Sequence, residues 1–183
     1  DAMKGAYLGP AYAQDDIELR LKAAGAVFTV LSEDRMIAEA AQALADGKAV
    51  GWHQGRMEFG PRALGGRSII ADPRSPYVQK QLNLKVKYRE SFRPFAPSVL
   101  REHVSEWFDL DGDSPYMLMV ANVNKDKQLA MTDEQKKLFG IDKLNVPRSL
   151  IPAVTHVDYS ARIQTVHDAT NPKYRRLISK FND

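Results

Sequence analysis

The stretch from Gln54 to Ser68 constrains the fold of this chain more than any other part of the sequence. Its 15 residues include four glycines and one proline, a composition that disfavours the interiors of both helices and strands. We therefore predict a loop here, with short regular elements on either side. No run in the sequence approaches the roughly 18 apolar residues of a membrane-spanning helix. The absence of cysteine excludes disulfides, thiolate nucleophiles and thiolate metal sites.

Short helical and extended patterns alternate along the rest of the chain. Helices are predicted at 14–24, 36–46 with Ser32 as the N-cap and Gly47 as the stop, 76–85, 101–108, 132–139 and 172–181. Extended segments are predicted at 27–31, 48–52, 68–71, 95–100, 116–123, 152–157 and 163–166. This order predicts an α/β or α+β domain in which helices flank a mixed sheet.

Positive charge is concentrated in the middle of the chain. The segment from Arg56 to Arg101 holds ten of the 26 Lys and Arg residues but only three of the 23 acidic residues. The rest of the sequence is therefore acidic overall. A cationic centre in an acidic protein indicates an anionic ligand, although a solvated basic face would carry the same charges.

The glycines of the 54–68 loop have the interval of a phosphate-binding P-loop, but Gly66 stands where that motif needs lysine. What remains is a loop whose backbone N–H groups could face a phosphate. Guanidinium groups bind phosphate through paired charge-assisted hydrogen bonds, and the loop is flanked by Arg56, Arg62 and Arg67. In the alternative interpretation it is a plain turn whose arginines pair with Glu58 or Asp72.

Two further clusters carry polar side chains at regular spacing. If residues 85–89 are extended, Lys87 and Arg89 share one face, either as ligand-binding cations or as the charges that protect an edge strand. On the predicted strand 152–157 and just beyond it, His156 and Asp158 also share a face, and the pair is either structural or part of a metal site. The G-x-S-x-G signature of serine hydrolases is not present in the sequence.

Taken together, these clusters resemble one enzyme family. The resemblance rests on Gln54-Gly-Arg-x-Glu-Phe-Gly-Pro-Arg-Ala-Leu-Gly-x-Arg-Ser-Ile69, on the run from Lys87 to Ser98 that contains Phe92-Arg-Pro-Phe-Ala-Pro97, and on His156-Val-Asp158 followed by Ala161-Arg-x-Gln-Thr-Val166. Leu8-Gly-Pro-x-Tyr12 and Asp72-Pro-Arg74 also match. The chain is similar to the C-terminal domain of O-carbamoyltransferases, a family that includes nodulation-factor, cephamycin and aminoglycoside carbamoyltransferases.

The resemblance implies a YrdC-like single domain over residues 1–183 and a specific reaction. In the family, this domain uses ATP, Mg²⁺ and carbamoyl phosphate to form carbamoyl-adenylate, whose carbamoyl group passes to a substrate hydroxyl. By motif position, Lys87 and Arg93 match the pair that clamps the phosphates, and we take them as the catalytic residues. The predicted cofactor-binding residues are Arg56, Arg62, Arg67, Ser68, Arg89 and Arg162.

The resemblance also implies that the chain is a fragment. It lacks the separate N-terminal acceptor domain, where the family places its metal, and the end of the C-terminal domain. We predict no metal site in this chain, small-molecule substrates, no membrane association and a cytoplasmic location. Two other classes stay open: an RNA-binding module, which the basic segment permits, and a nucleotide-binding module without catalytic activity.

Overall fold

The structure of the chain is a computed structural model, which describes Met3 and residues 5–183. Helices and strands alternate along these residues, so the domain is of the α/β class, as predicted. The helices are α1 Gln14–Ala23, α2 Glu33–Ala45, α3 Val78–Lys85, α4 Val104–Trp107, α5 Asp133–Lys137, α6 Gly140–Leu144 and α7 Pro172–Asn182. The strands are β1 Val50–His53, β2 Arg67–Ile70, β3 Ser98–Leu100, β4 Val120–Asn122, β5 Ser160–Arg162 and β6 Gln164–Val166.

The strands form three two-stranded pairs that include both directions of pairing. β1 and β2 are antiparallel, with Trp52 opposite Ser68, and β4 and β5 are also antiparallel. β3 and β6 are parallel, as expected when a long crossover connects two strands. Only Ile163 separates β5 from β6, so one extended segment pairs with β4 along its first part and with β3 along its second.

The main hydrophobic core surrounds that extended segment. Ile163 is completely buried, and its backbone N–H donates to the Met119 carbonyl at 3.0 Å. Around it pack side chains from α4, the end of β4 and the turn before β5, namely Val104, Phe108, Val123, Ile151, Val154 and Ala161. The segment is therefore the structural centre of the domain.

A second core lies between α2 and α7. Ile37, Ala41 and Leu44 recur along α2 with helical spacing and are buried, and Tyr174 and Leu177 do the same along α7. Full burial of a leucine such as Leu177, which is 1% exposed, stabilises the fold by about 1.5–3 kcal/mol. Trp52 and Val166 pack against this pair of helices, which ties β1 and β6 to the same core.

Two predicted strands are wrong. Residues 27–31 pair with no strand in the described part of the chain, and Val27 and Val30 are exposed. Residues 152–157 begin instead with a 3-10 turn, Pro152–Val154. Proline has no backbone N–H and a fixed φ, which suits the start of a turn, and the Thr155 hydroxyl closes it by donating to the Ile151 carbonyl at 2.9 Å.

The region after α3 also differs from its prediction. The helix expected from residue 76 begins at Val78 and continues through Lys85, so residues 85–89 are not extended. The chain then turns, and Tyr88 adopts a left-handed conformation with φ of 49°. Lys87 and Arg89 therefore do not share a strand face. None of the described helices is long and apolar enough to cross a membrane; α2 has 13 residues.

Candidate anion-binding cleft

A cleft of about 810 Å³ opens beside the turn that follows α3. Its volume lies within the range of about 300–1,000 Å³ that is usual for small-molecule sites. Five arginines line it, and its described lining residues include no aspartate or glutamate. We call it the arginine cleft; the five are Arg62, Arg89, Arg93, Arg148 and Arg162.

The guanidinium groups of the cleft repel one another. Burial lowers the pKa of Arg162, and the charge of Arg62 lowers it further. Burial likewise lowers the pKa of Arg89, with a contribution from Arg93 that Glu90 partly opposes. Arginine side chains are effectively always protonated in proteins, so the lowered pKa values of Arg89 and Arg162 do not remove their charge at neutral pH. An anion bound among them would relieve this repulsion.

Arg162 also has an unused hydrogen-bond donor. Its Nε atom is buried and has no partner among the described residues. A buried donor without an acceptor costs about 1–3 kcal/mol, so native structures rarely leave one in place without a reason. An oxygen of a bound ligand is one acceptor that would offset this cost.

Arg148 differs from the other four arginines because the protein already satisfies it. Its side chain is buried and donates to the carbonyls of Val146 and Lys143, both at 3.0 Å. These bonds fix the chain just after α6, which supplies Leu144, Val146 and Pro147 as an apolar wall of the cleft. The cleft thus has a cationic side and an apolar side, as expected of a site for a ligand with a charged and an uncharged part.

Asn83 stabilises the turn that carries Arg89 and Arg93 through hydrogen bonds. This asparagine is fully buried in α3, and its amide donates to the carbonyls of Ser91 at 3.1 Å and Arg93 at 2.8 Å. Its Oδ1 accepts from Arg89 Nε at 2.6 Å, and the Arg89 guanidinium stacks over the Phe95 ring at 4.9 Å.

The glycine-rich loop is shaped by Glu58. The Oε1 atom of this buried carboxylate accepts from the backbone N–H groups of Leu64 at 2.8 Å, Gly66 at 2.6 Å and Arg67 at 3.0 Å. Burial alone would raise the pKa of Glu58, but the backbone donors outweigh it and the pKa is lowered. A Cβ atom at Gly66 would lie about 2.9 Å from the carboxylate carbon of Glu58, so a larger residue there would displace this carboxylate.

A family model matches this chain over most of its length. The carbamoyltransferase C-terminus model covers residues 41–183. The chain belongs to this family. The resemblance inferred from the sequence motifs is therefore confirmed, and the arginine cleft lies wholly within the matched residues.

Curated relatives are longer proteins than this chain. It is 59% identical over 183 residues to the uncharacterised protein sll1178 of Synechocystis sp., covering 99% of this chain and 30% of that protein. It is 41% identical to nodulation protein NolO of Bradyrhizobium diazoefficiens, covering 96% of this chain and 29% of NolO. It is 40% identical to the 3'-hydroxymethylcephem-O-carbamoyltransferase of Amycolatopsis lactamdurans, covering 78% of this chain and 23% of that enzyme. The chain thus spans less than a third of each.

Four of the predicted site residues line the arginine cleft and four do not. Arg62, Arg89, Arg93 and Arg162 converge there from three separate parts of this carbamoyltransferase-family domain. Lys87 is exposed in the turn after α3 and is not part of the lining. The other three are Arg56, Arg67 and Ser68.

Those three side chains bond within the protein. Arg56 donates to the Gly9 carbonyl at 3.1 Å, and Arg67 donates to the carbonyls of Gln54 at 2.6 Å and Gly55 at 3.1 Å. The Ser68 hydroxyl accepts from the Gly65 N–H at 2.9 Å. Neither predicted use of the loop describes these contacts. The N–H groups of residues 64–67 bond to Glu58 and Ser68, and these arginines bond to backbone carbonyls.

His156 and Asp158 lie in a turn and not on a strand. The Asp158 carboxylate accepts from the N–H and the hydroxyl of Ser160, at 3.0 and 2.7 Å, and these bonds lower the pKa of Asp158. His156 lines the arginine cleft. Across Met3 and residues 5–183, no group of three or more His, Asp or Glu side chains is placed to hold a metal ion.

The sequence motifs do not single out Asn83 or Arg148 as site residues. Both act on parts of the cleft through side-chain bonds to backbone carbonyls. One signal for Asn83 was available: it lies between two leucines inside a helix, where asparagine is disfavoured and a buried polar group needs partners.

Proposed function

We propose that this chain is the domain of a carbamoyltransferase that activates the carbamoyl group, with the YrdC-like fold of its family. It would use ATP and carbamoyl phosphate to form carbamoyl-adenylate, from which the carbamoyl group passes to a substrate hydroxyl. The observation that carries the proposal is the convergence of Arg62, Arg89, Arg93 and Arg162 in one cleft whose lining has no carboxylate. A triphosphate and a phosphorylated co-substrate are the ligands that such a charge distribution attracts.

The reaction requires no nucleophilic side chain. Water hydrolyses carbamoyl phosphate to carbamate and phosphate, and a carbamate oxygen then attacks the α-phosphorus of ATP as the bond to pyrophosphate breaks. The protein's task is to hold the two reactants close together and to neutralise charge on the phosphates. The four arginines of the lining that come from the 89–93 turn, the glycine-rich loop and β5 are suited to this task.

Two predicted features of the site remain part of the proposal. We retain Lys87 as the catalytic partner of Arg93 because both lie in the turn that Asn83 supports, although its side chain is not in the cleft lining. Mg²⁺ prefers carboxylate and phosphate oxygens, and the lining offers no carboxylate. Bound Mg²⁺ would therefore be held by the phosphates and water, where it lowers the repulsion between phosphate groups.

Transfer to the acceptor belongs to the longer protein. One relative is named for carbamoylation of a hydroxymethylcephem, and the nodulation proteins are related at similar identity. We propose that the chain acts with an N-terminal acceptor domain of the same polypeptide on a small-molecule alcohol, in the cytoplasm. The identity of that alcohol is decided by the acceptor domain.

Calorimetry and a pyrophosphate assay test the proposal in two steps. The 183-residue chain should bind ATP with Mg²⁺, and Arg162→Ala should weaken binding while Arg35→Ala, on the exposed face of α2, should not. Addition of carbamoyl phosphate should then release pyrophosphate. Binding without release would instead favour a nucleotide-binding module that lacks catalytic activity. If ATP does not bind at low salt, the proposal fails for this chain.

A further inference from the structure

Asn83 is a buried polar residue whose side chain bonds to the turn that carries two arginines of the cleft. It is 0% exposed, and its amide group makes three hydrogen bonds, donating to the carbonyls of Ser91 and Arg93 and accepting from Arg89 Nε. Its backbone carbonyl accepts a fourth bond, from the Arg89 N–H at 3.0 Å. A single residue of α3 therefore contacts the turn at three positions.

Helix stability does not explain an asparagine at this position. Its neighbours Leu82 and Leu84 are apolar, and leucine is both a better helix former and cheaper to bury. The structure needs an amide side chain at this position only if the hydrogen bonds of the amide have a role. Both of its N–H groups and its carbonyl oxygen are used on the 89–93 turn, so the position is specific for a side chain that donates and accepts.

The turn needs such a tether because its two arginines repel each other. Residues 86–93 belong to neither a helix nor a strand, and Arg93 is 58% exposed at its side chain. The bond from Asn83 uses only Arg89 Nε, which leaves the two Nη groups for other acceptors. Stacking on Phe95 fixes the plane of the same guanidinium. Asn83 thus fixes the orientation of the Arg89 side chain and the position of the Arg93 backbone carbonyl.

We infer that Asn83 is a positioning residue for anion binding, which holds Arg89 and Arg93 together at the arginine cleft. The inference rests on the proposed function, since it assumes that both arginines contact a phosphorylated ligand. It predicts that Asn83 acts on the ligand only through these two side chains.

The test measures binding of inorganic tripolyphosphate and of ATP to the 183-residue chain by calorimetry. Asn83→Leu keeps the branching and the number of side-chain heavy atoms but removes all three side-chain bonds, and we expect it to weaken tripolyphosphate binding at least tenfold. Ile37→Ala is the matched control: it destabilises the core between α2 and α7, outside the cleft, and should leave affinity unchanged. Thermal melting establishes that each variant is folded at the assay temperature.

A second comparison separates positioning from general destabilisation. Asn83→Leu is added to the double variant Arg89→Ala/Arg93→Ala, in which the positioned groups are already gone. If Asn83 acts through them, the additional loss should be less than twofold. A further loss as large as that seen in the unaltered chain would overturn the inference.

Two outcomes separate this inference from the proposed function. If the unaltered chain binds neither tripolyphosphate nor ATP, both fail. If it binds them and Asn83→Leu binds equally well, only the role of Asn83 fails. Should Asn83→Leu not fold, Asn83→Ser replaces it, because serine keeps one donor without adding charge; wild-type affinity in that variant would equally overturn the inference.

Discussion

At the residue scale, the arginine cleft combines guanidinium groups that remain accessible with buried polar groups that fix their surroundings. Arg93 is an example of the first kind. Its Nη1 atom lies 3.9 Å from the Glu90 carboxylate, and both side chains are more than half exposed. An exposed ion pair of this length contributes about 0–1 kcal/mol to stability, so the side chain is free to serve a ligand.

Arg93→Ala should therefore weaken ligand binding without unfolding the domain. We expect a loss of about 1.5–3 kcal/mol in ATP binding, the usual worth of a hydrogen bond to a charged group. Calorimetry gives the affinity and thermal melting gives the stability. A variant that melts much earlier than the unaltered chain in the absence of ligand would mean that Arg93 is structural.

Tyr7 is a half-buried residue whose hydroxyl has a raised pKa. Burial raises its pKa to about 12, against the ordinary 10.0, and its hydroxyl donates to the Leu64 carbonyl at 2.5 Å while accepting from Asn171 Nδ2 at 2.8 Å. The unfolded chain loses this proton near pH 10 and the folded chain only near pH 12. The stability that Tyr7 contributes is therefore complete below pH 10 and is lost as the pH rises to 12.

Tyr7→Phe tests this assignment. At pH 8 the variant should be less stable by about 1–3 kcal/mol, because Asn171 loses a partner. The difference from the unaltered chain should shrink between pH 10 and pH 12, as measured by urea denaturation at each pH. A stability difference that does not change with pH would show that Tyr7 titrates normally.

The sequence predicted the site's charge better than its architecture. Arg62 and Arg89 were predicted as cations suited to phosphate, whereas the roles of Arg93 and Arg162 were predicted from the family resemblance. All four reach one cleft. The hydrogen-bond partners of Arg67 and Glu58 were not predicted, because every residue has a backbone carbonyl and nearly every residue a backbone N–H. The sequence therefore does not indicate which of these groups a side chain will bond. Residue spacing also predicted that Lys87 and Arg89 share a strand face, but α3 ends at Lys85 and a turn follows it.

At the scale of elements, α2 and α7 show where local rules suffice. Ser32 precedes α2 as an N-cap whose hydroxyl accepts from the Arg35 N–H at 3.4 Å, and Asn171 caps α7 by accepting from the Tyr174 N–H at 3.2 Å. Pro172 occupies the first position of α7, where its missing N–H costs nothing. Caps and apolar periodicity together predicted both helices.

The two caps should differ in their energetic importance. Ser32 is exposed with a single long bond, whereas Asn171 is 6% exposed and also bonds to Gln54 Nε2 and the Tyr7 hydroxyl. We expect Ser32→Ala to cost about 0.5–1 kcal/mol, at the low end for a cap, and Asn171→Ala at least about 2 kcal/mol, since two half-buried side chains lose a bond together with the cap. Urea denaturation of both variants checks the order, and equal losses would contradict it.

Elements decided by distant contacts were predicted poorly. Residues 27–31 have the β-branched and aromatic composition of a strand, but a strand needs a neighbour, and none lies beside them in the described structure. Ala153 and Val154 are apolar because they are buried in a 3-10 turn, not because they are extended. The amino-acid composition of a segment indicates whether it can be buried. Whether the segment pairs as a strand depends on which other segments lie beside it.

At the scale of the whole molecule, the chain spans less than a third of the length of the three relatives described above. We therefore expect the 183 residues to carry out at most the first half of a carbamoyl transfer. Given ATP, Mg²⁺ and carbamoyl phosphate, they should release pyrophosphate; after addition of a sugar or aminoglycoside alcohol, mass spectrometry should detect no carbamate ester. An ester formed by this chain alone would overturn the proposed division of labour.

The bonds from the glycine-rich loop to the Glu58 carboxylate affect the entropy cost of ligand binding. Loops that wrap phosphate with backbone N–H groups are commonly ordered by the phosphate itself, and part of the binding energy is then used to freeze them. Here the loop carries its own permanent anion, bonded to Leu64, Gly66 and Arg67. Arg62 lies between Glu58 and Leu64, which bond to each other, so we expect the loop to be ordered before any ligand binds. Little of the binding free energy would then be lost in ordering it.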